Sequence, residues 1–228
     1  RKSSWQHSLN GVWKFIYAPT IATSIKDFYR IDLPDSNWDT ITVPSNWEIQ
    51  GFGEPIIRNI QYVFSSNPPY IDVDNPVGTY RRTFTVPRNW QEREVFLHFG
   101  SISGYARIYV NGQQVGMTKA SKTPAEFNVT NYLKEGENLL AVQIYRWHDG
   151  SYMEDQDFWR LTGIERDVFL QAYPKLTIWD FFLKSSLDSI YKNGIFNATV
   201  DLREFTGNNV KKGTLKLELL DKTGKIVL

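Results

Sequence analysis

Short runs of alternating apolar and polar residues recur along this chain, and turn-forming pairs separate them. Leu140, Val142 and Ile144 mark one such run. The pair Asn111–Gly112 separates two others, and Asn-Gly between alternating runs is the strongest short-range signal for a β-hairpin. No stretch shows the apolar period of an amphipathic helix of three turns or more. The pattern predicts an all-β protein, a β-sandwich with Greek-key or jelly-roll connections.

The predicted strands are interrupted by one long irregular segment, residues 45–76. The strands are expected at residues 9–17, 41–43, 78–86, 95–99, 105–116 (a hairpin), 140–144 and 168–172, with a connector and one helical turn at 127–133. Within residues 45–76, prolines and glycines break every period while aromatic residues recur. Long irregular loops in compact domains are often functional, and this one is too aromatic to be disordered.

Pro174 marks a predicted boundary between two domains. Residues 1–173 are expected to form a complete sandwich. Residues 174–228 carry alternating runs separated by turns and fit the first strands of an immunoglobulin-like sandwich, but a complete one needs about 100 residues. We therefore expect a truncated second domain that leaves apolar residues such as Phe181, Leu217 and Leu219 uncovered.

Composition excludes several classes of function. The net charge is +1, from 26 basic and 25 acidic residues without a basic cluster, which argues against a nucleic-acid partner. No apolar run approaches the ~20 residues of a membrane-spanning helix. The absence of cysteine excludes disulfides, thiolate zinc sites and a cysteine nucleophile. It does not settle whether the compartment is cytoplasmic or periplasmic. Because the chain starts without Met and ends in a predicted strand, we expect it to be part of a longer protein.

Residues 146–168 concentrate the unusual chemistry. This predicted loop joins two strands and combines carboxylates, large rings and arginines: Asp149, Glu154, Asp155, Asp157, Trp147, Tyr152, Phe158, Trp159, Arg146, Arg160 and Arg166. Carboxylates accept hydrogen bonds from hydroxyl groups, and rings can cover the apolar C–H faces of a sugar. The segment therefore favours contact with a carbohydrate. The alternative is a loop whose acids pair with its own arginines.

Other chemistries fit these residues less well. Glycosidases commonly use two carboxyl groups roughly 5–10 Å apart that flank the scissile bond, whereas Glu154 and Asp157 lie on one loop. The acid spacing does not match a calcium-binding EF-hand. His7, His98 and His148 have no metal-ligand spacing and are expected to be structural. No phosphate loop, nucleophile elbow or zinc signature is present.

Three segments carry a family resemblance that covers residues from about Ser8 to Tyr173. They read SLNGVWKF, VPSNWEIQGFGEPIIRNIQYVFSSNPPYIDVDNPVGTYRRTF and RWHDGSYMEDQDFWRLTGIERDV. Together they closely resemble the N-terminal region of β-galactosidases of glycoside hydrolase family 2, the lac operon type. Residues 174–228 resemble the start of the family's immunoglobulin-like domain more loosely.

The resemblance implies a galactose-binding-like jelly-roll domain, an immunoglobulin-like domain and then a TIM barrel. It also implies hydrolysis of terminal β-D-galactosides with retention, by two glutamates of the barrel. Since this chain lacks the barrel, we expect it to contain no catalytic residue and to be inactive alone. The resemblance implies sodium and magnesium as metal cofactors, and we expect these ions only in the full-length enzyme.

Two site residues follow from the resemblance. Asn59 and Asp157 match family positions that contact galactosyl hydroxyls, and the aspartate also helps to hold sodium. The alternatives are that Asn59 stabilises its own loop and that Asp157 forms a salt bridge with Arg160 or Arg166. Two positions depart from the family: His148 replaces a serine, and Glu165 replaces a phenylalanine for no evident reason.

Three hypotheses of function remain open on the sequence. The first is a β-galactosidase fragment that supplies substrate-contacting loops to its own barrel. The second is a stand-alone galactoside-binding module. The third is an architectural domain that supports the barrel or forms a subunit interface in a homo-oligomer.

Overall fold

The computed structural model describes residues 3–57, 62–154, 157, 159–205, 207 and 213–227. The chain divides into two compact units, Arg1–Tyr173 and Pro174–Leu228. In the described residues, regular structure consists of β-strands and short 3-10 helices, so the predicted all-β class is confirmed. No helix in these ranges has the length and apolar character needed to cross a lipid bilayer.

The elements follow one another along the chain as short strands with brief helical turns between them. The strands are β1 (Gln6–Ser8), β2 (Gly11–Ala18), β3 (Asp39–Val43), β4 (Ser45–Asn46), β5 (Ile56–Ile57), β6 (Val77–Thr85), β7 (Glu94–Phe99), β8 (Ile102–Ser103), β9 (Tyr105–Val110), β10 (Gln113–Thr118), β11 (Ala125–Asn128), β12 (Glu137–Tyr145), β13 (Trp159–Arg160), β14 (Gly163–Ile164), β15 (Val168–Tyr173), β16 (Leu176–Leu187) and β17 (Gly194–Glu204). The 3-10 helices are Glu48–Gln50, Arg88–Trp90, Thr130–Tyr132 and Asp149–Tyr152.

Two antiparallel sheets form the body of the first unit. The larger has the order β10-β9-β12-β6-β2-β3 and the smaller has the order β1-β15-β7-β11. Strand β12 is central: its Val142 lies opposite Tyr80 of β6 and Ile108 of β9. The core between the sheets takes Trp13 from the larger sheet and Leu170 from the smaller one. Packing two apolar sheet faces together is the simplest way to bury both.

The larger sheet is also covered on its outer face. Tyr109 of β9 and Ala141 of β12 point away from the main core and pack with Phe28 and Trp38, which come from the segment between β2 and β3. This second cluster explains why β12 is buried along nearly its whole length rather than on alternate residues only. A strand buried on both faces loses the simple apolar–polar alternation.

Two local predictions had different outcomes. The Asn111–Gly112 hairpin joining β9 and β10 is confirmed, and its φ values of 50° and 83° are the positive pair that a type I′ turn requires. The prediction of a connector at residues 127–133 was partly wrong, because β11 extends into it and places Phe127 opposite Leu97. A four-residue strand is too short to show a period.

The second unit is built around one long hairpin of β16 and β17. Phe181 and Phe182, neighbours on β16, are 63% and 68% exposed. Leu217 and Leu219, which the sequence also predicted to be uncovered, are 52% and 40% exposed. No second layer covers the hairpin within the described part of this unit. Its assignment as immunoglobulin-like stays a prediction.

Candidate functional site

The irregular segment and the acidic segment leave the sandwich at the same end. Strand β12 ends at Tyr145, directly opposite Val77 at the start of β6. Antiparallel pairing therefore places residue 146 beside residue 76, and the Arg146 amide donates to the Pro76 carbonyl at 3.0 Å. The register of two core strands thus brings together two segments that lie some seventy residues apart.

Aromatic residues join these two segments. Tyr62, Phe64, Trp147 and Tyr152 form an aromatic cluster in which the Phe64 ring lies 5.6 Å from Trp147 and 4.8 Å from Tyr152. The Tyr62 hydroxyl donates to the Tyr152 carbonyl at 2.7 Å. Trp147 and Tyr152, two of the rings that the sequence suggested for sugar contact, here hold loop against loop, and Trp147 also lines the cavity beside β13. Trp159 is different, since half of it remains exposed.

A short pair of antiparallel strands lies close in sequence to the two predicted substrate contacts. Strand β5 pairs with β13, with Ile57 opposite Trp159 and Ile56 opposite Arg160. Asn59 lies outside the described residues, two positions after Ile57. Asp157 is exposed and lies two positions before Trp159. The two candidates are therefore equally far, along the chain, from one cross-strand pair.

A buried ion pair lies beneath this strand pair. The Arg146 guanidinium donates through Nη2 to the Glu54 carbonyl at 3.0 Å and to the Arg160 carbonyl at 2.8 Å. Its acidic neighbour is Glu48, whose Oε1 lies 3.6 Å away and whose Oε2 accepts from the Thr162 amide at 2.9 Å. The two side chains are only 5% and 0% exposed.

Burial sets the electrostatics of this pair. It raises the pKa of the Glu48 carboxyl, against the Thr162 amide and the Arg146 charge, which both favour the ionised form. It lowers the pKa of Arg146, and Glu48 opposes that shift. Sequence reasoning placed Arg146 among counter-charges for the acidic loop and missed Glu48. The partners are far apart in the chain, and no local pattern links them.

The acidic loop itself is stabilised by a histidine. His148 precedes the 3-10 helix Asp149–Tyr152, and its Nδ1 accepts from the Gly150 amide at 3.1 Å. Its Nε2 lies 3.7 Å from Glu154 Oε1. Burial lowers the pKa of His148, while the Glu154 and Asp149 charges oppose the shift. His148 is thus structural, as predicted.

Two further acids have partners that the sequence did not indicate. Asp149 pairs with Lys119 at 2.8 Å, and not with an arginine of its own loop as one alternative supposed. Glu165 accepts from Asn46, Ser101 and Lys122 at 3.1, 3.1 and 2.9 Å. These three donors explain an acid where the family pattern has an apolar residue. They tie the β14 region to the loops around it.

A cavity of about 240 Å³ opens beside β13. Its walls include Met153, Glu154, Trp159, Arg160 and Lys122. A half-exposed indole beside carboxylate, ammonium and hydroxyl groups is suited to a polyhydroxylated ligand, because the ring covers C–H groups and the polar atoms bind hydroxyls. Among the residues described, no group of three or more His, Asp or Glu side chains is placed to hold a metal ion.

Fold and site together define an all-β sandwich domain with a polar and aromatic site suited to carbohydrate at one end. Residues 6–174 match the family described as "Glycosyl hydrolases family 2, sugar binding domain". The chain belongs to this family.

Known relatives and solved structures agree with that membership. The chain is 40% identical to a β-galactosidase of Priestia megaterium over 100% of its own length and 23% of the relative's, and 42% identical to one of Psychromonas ingrahamii over 89% and 20%. It therefore spans about a fifth of the curated relatives it matches. Among solved structures, a β-glucuronidase of an uncultured Clostridium sp. is 26% identical with a TM-score of 0.73, covering 100% of this chain and 38% of that one. A Bacteroides uniformis β-glucuronidase is 25% identical with a TM-score of 0.59, over 79% and 20%.

Proposed function

We propose that this chain is the N-terminal region of a retaining β-galactosidase, in which a barrel outside these residues hydrolyses terminal β-D-galactosides. In this proposal residues 174–228 begin an immunoglobulin-like domain. The observation that carries the proposal is 40% identity to a β-galactosidase over the whole chain. The β-glucuronidases are similar at only 25–26% identity, so the curated relatives favour a galactoside over a glucuronide.

The chain's own contribution would be to bind the galactosyl ring through Asn59 and Asp157. An amide offers both a donor and an acceptor, whereas a carboxylate offers acceptors only, so together they can read the orientation of hydroxyl groups. The pairing of Ile57 with Trp159 supports this, because it brings the segments that carry both residues to one place. The exposed state of Asp157 leaves its carboxylate accessible to a ligand.

Asp157 would also serve as a sodium ligand in the longer enzyme. Hard cations prefer oxygen donors, and an exposed carboxylate provides them. The described residues contribute no cluster of three acidic or histidine side chains, so the other sodium ligands in this proposal are carbonyl or amide oxygens, or groups outside these residues. Bound sodium would supply positive charge near the sugar hydroxyls, while any magnesium belongs to the rest of the enzyme.

The test compares variants of the longer protein. Asp157→Asn should lower kcat/KM by one to two powers of ten, because a hydrogen bond to a charged group contributes about 1.5–3 kcal/mol. Asn59→Ala should lower it less, since a neutral hydrogen bond contributes about 0.5–1.5 kcal/mol. Thermal melts confirm folding. If Asp157→Asn melts early but keeps wild-type kcat/KM when folded, Asp157 is structural and the assignment fails.

The 228-residue chain alone should not hydrolyse a chromogenic β-galactoside, because neither Asn59 nor Asp157 forms half of an acid and nucleophile pair. Calorimetric titration of the same chain with galactose tests the alternative of a stand-alone module, which the half-exposed Trp159 at the cavity favours. Saturable heat that Trp159→Ala abolishes would support that alternative. Absence of heat would contradict the stand-alone module and would mean that galactose binding requires the longer enzyme.

A further inference from the structure

We propose that Arg146 is a positioning residue for substrate binding: its buried guanidinium joins the backbone at Glu54 to the backbone at Arg160 and fixes the separation of these two segments. Along the chain, the first segment precedes Asn59 and the second follows Asp157. The inference rests on the proposed function, in which those two residues contact the sugar. Arg146 lies in the wall of the cavity beside β13, but its side chain is only 5% exposed. In this proposal it acts through the backbone of both loops and not by contact with the substrate.

The contacts of Arg146 make it a direct link between the loops at β5 and β13, apart from the aromatic cluster. One nitrogen, Nη2, donates to the carbonyl of Glu54, just before β5, and to the carbonyl of Arg160, within β13. Strands β5 and β13 contain only two residues each, so their own ladder provides few hydrogen bonds. Both bonds come from one nitrogen, whose two N–H groups are fixed in the guanidinium plane, whereas the protons of a lysine ammonium rotate at the end of a flexible stem. Lysine at this position would therefore hold the two carbonyls less rigidly.

Glu48 fixes the same segment from the other side. Its Oε2 accepts from the Thr162 amide, two residues beyond Arg160, while its Oε1 lies near Arg146. Burying two charges costs more than burying apolar groups of the same size unless geometry and hydrogen bonding are excellent. Here Glu48 Oε1 and Arg146 Nε have no hydrogen-bond partner among the described residues. Stability alone therefore explains the pair poorly, and holding the loops in place explains it better.

Arg81 offers a matched control. It is also buried, donates to the carbonyls of Phe28 and Arg30 at 2.6 and 2.9 Å, and pairs with Asp35 at 2.8 Å. Its partners all lie between β2 and β3, away from the two loops of the site. Arg81→Lys and Arg146→Lys each replace a buried guanidinium that donates to two or more backbone carbonyls, but only Arg146 contacts the segments of the proposed substrate site.

The experiment measures kcat and KM for a β-galactoside in the longer protein, together with amide exchange of residues 54–57 and 159–162. Arg146→Lys should lower kcat/KM about ten- to a hundredfold, the range that a misplacement of about 1 Å can cause, and should speed exchange in both segments. Arg81→Lys should change neither by more than about twofold. The double variant Arg146→Met with Glu48→Gln leaves no unpaired buried charge. It should melt higher than Arg146→Met alone yet keep the low kcat/KM.

The outcomes separate this inference from the proposed function. Wild-type kcat/KM in Arg146→Lys, or equal losses in the two lysine variants, would overturn the inference while Asp157→Asn still reports on the substrate contacts. Recovery of kcat/KM along with stability in the double variant would overturn it too. If Asp157→Asn and Asn59→Ala both behave as wild type, the proposed contacts fail. Faster amide exchange in Arg146→Lys would then show only that Arg146 links the two loops, and its proposed role in positioning substrate contacts would be wrong.

Discussion

The two units of the chain both consist of strands with apolar residues but bury those residues very differently. In the first unit, Phe15 of β2 is completely buried between two sheets. In the second, Phe182 of β16 is 68% exposed on a hairpin that no described layer covers. Both strands carry apolar rings. Within the described residues, only the first unit contains a second layer that covers them.

An apolar strand pattern alone does not make a two-stranded hairpin stable. A two-stranded hairpin is at best marginally stable in water, and a sheet gains independent stability only with further strands or a second layer. On β16, the neighbours Phe181 and Phe182 are both exposed, and neighbouring side chains point to opposite faces. Both faces of this hairpin are therefore apolar and available to further structure.

The largest expected difference is between matched phenylalanine truncations in the 228-residue protein. Phe15→Ala should lower the free energy of unfolding by about 3–5 kcal/mol, the usual cost of removing a buried ring. Phe182→Ala should stay within about 0.5 kcal/mol, as for a surface residue. Hydrogen exchange read out by mass spectrometry measures each unit separately. Similar losses for both variants would mean that Phe182 is covered in solution.

A glycine pair gives the next effect in size. A methyl group on Gly78 of β6 would overlap the buried ring of Trp47, whereas one on Gly194 of β17 would meet nothing within 4 Å. Overpacking a core costs about 1–3 kcal/mol, so Gly78→Ala should destabilise the first unit by at least that much. Gly194→Ala should be neutral or slightly stabilising, because alanine has less backbone freedom to lose. Denaturant titration of both variants provides the measurement, and a loss in Gly194→Ala would contradict the comparison.

The smallest effect concerns acid. Burial lowers the pKa of His148 below its ordinary value of 6.5, so below pH 6.5 the unfolded chain binds more protons than the folded one. The free energy of unfolding of the first unit should therefore fall as the pH drops from 6.5 toward the folded pKa, by at most about 1.4 kcal/mol per pH unit.

The control is His148→Asn, which keeps an acceptor for the Gly150 amide and does not titrate. Its stability should be flatter than wild type between pH 6.5 and 5, and Glu48 contributes equally to both proteins. In the second unit, hydrogen bonds lower the pKa values of the exposed Asp188 and Asp221 from 3.8, so their contribution is lost only below that pH. Parallel curves for the variant and wild type would show that His148 does not titrate in this window.

The class of fold and several local turns could be predicted from the amino-acid pattern alone. Alternation and the Asn111–Gly112 pair act over a few residues, and backbone geometry turns them directly into strands and a hairpin. The long family segments likewise pointed to Asn59 and Asp157 before any coordinates. Strands of two residues, such as β5 and β13, could not be predicted, because two residues are too few to show apolar–polar alternation.

The pairing of charged side chains around the site could be identified only from the folded structure. Arg146 pairs with Glu48, Asp149 with Lys119, and Glu165 with Lys122, and every partner lies at least 30 positions away. The register of β6 against β12 brings Arg146 beside the irregular segment that contains Glu48. Lys119 and Lys122 reach their partners from the connection between β10 and β11. Side-chain patterns report local geometry, whereas a salt bridge depends on where two distant backbones have already been placed.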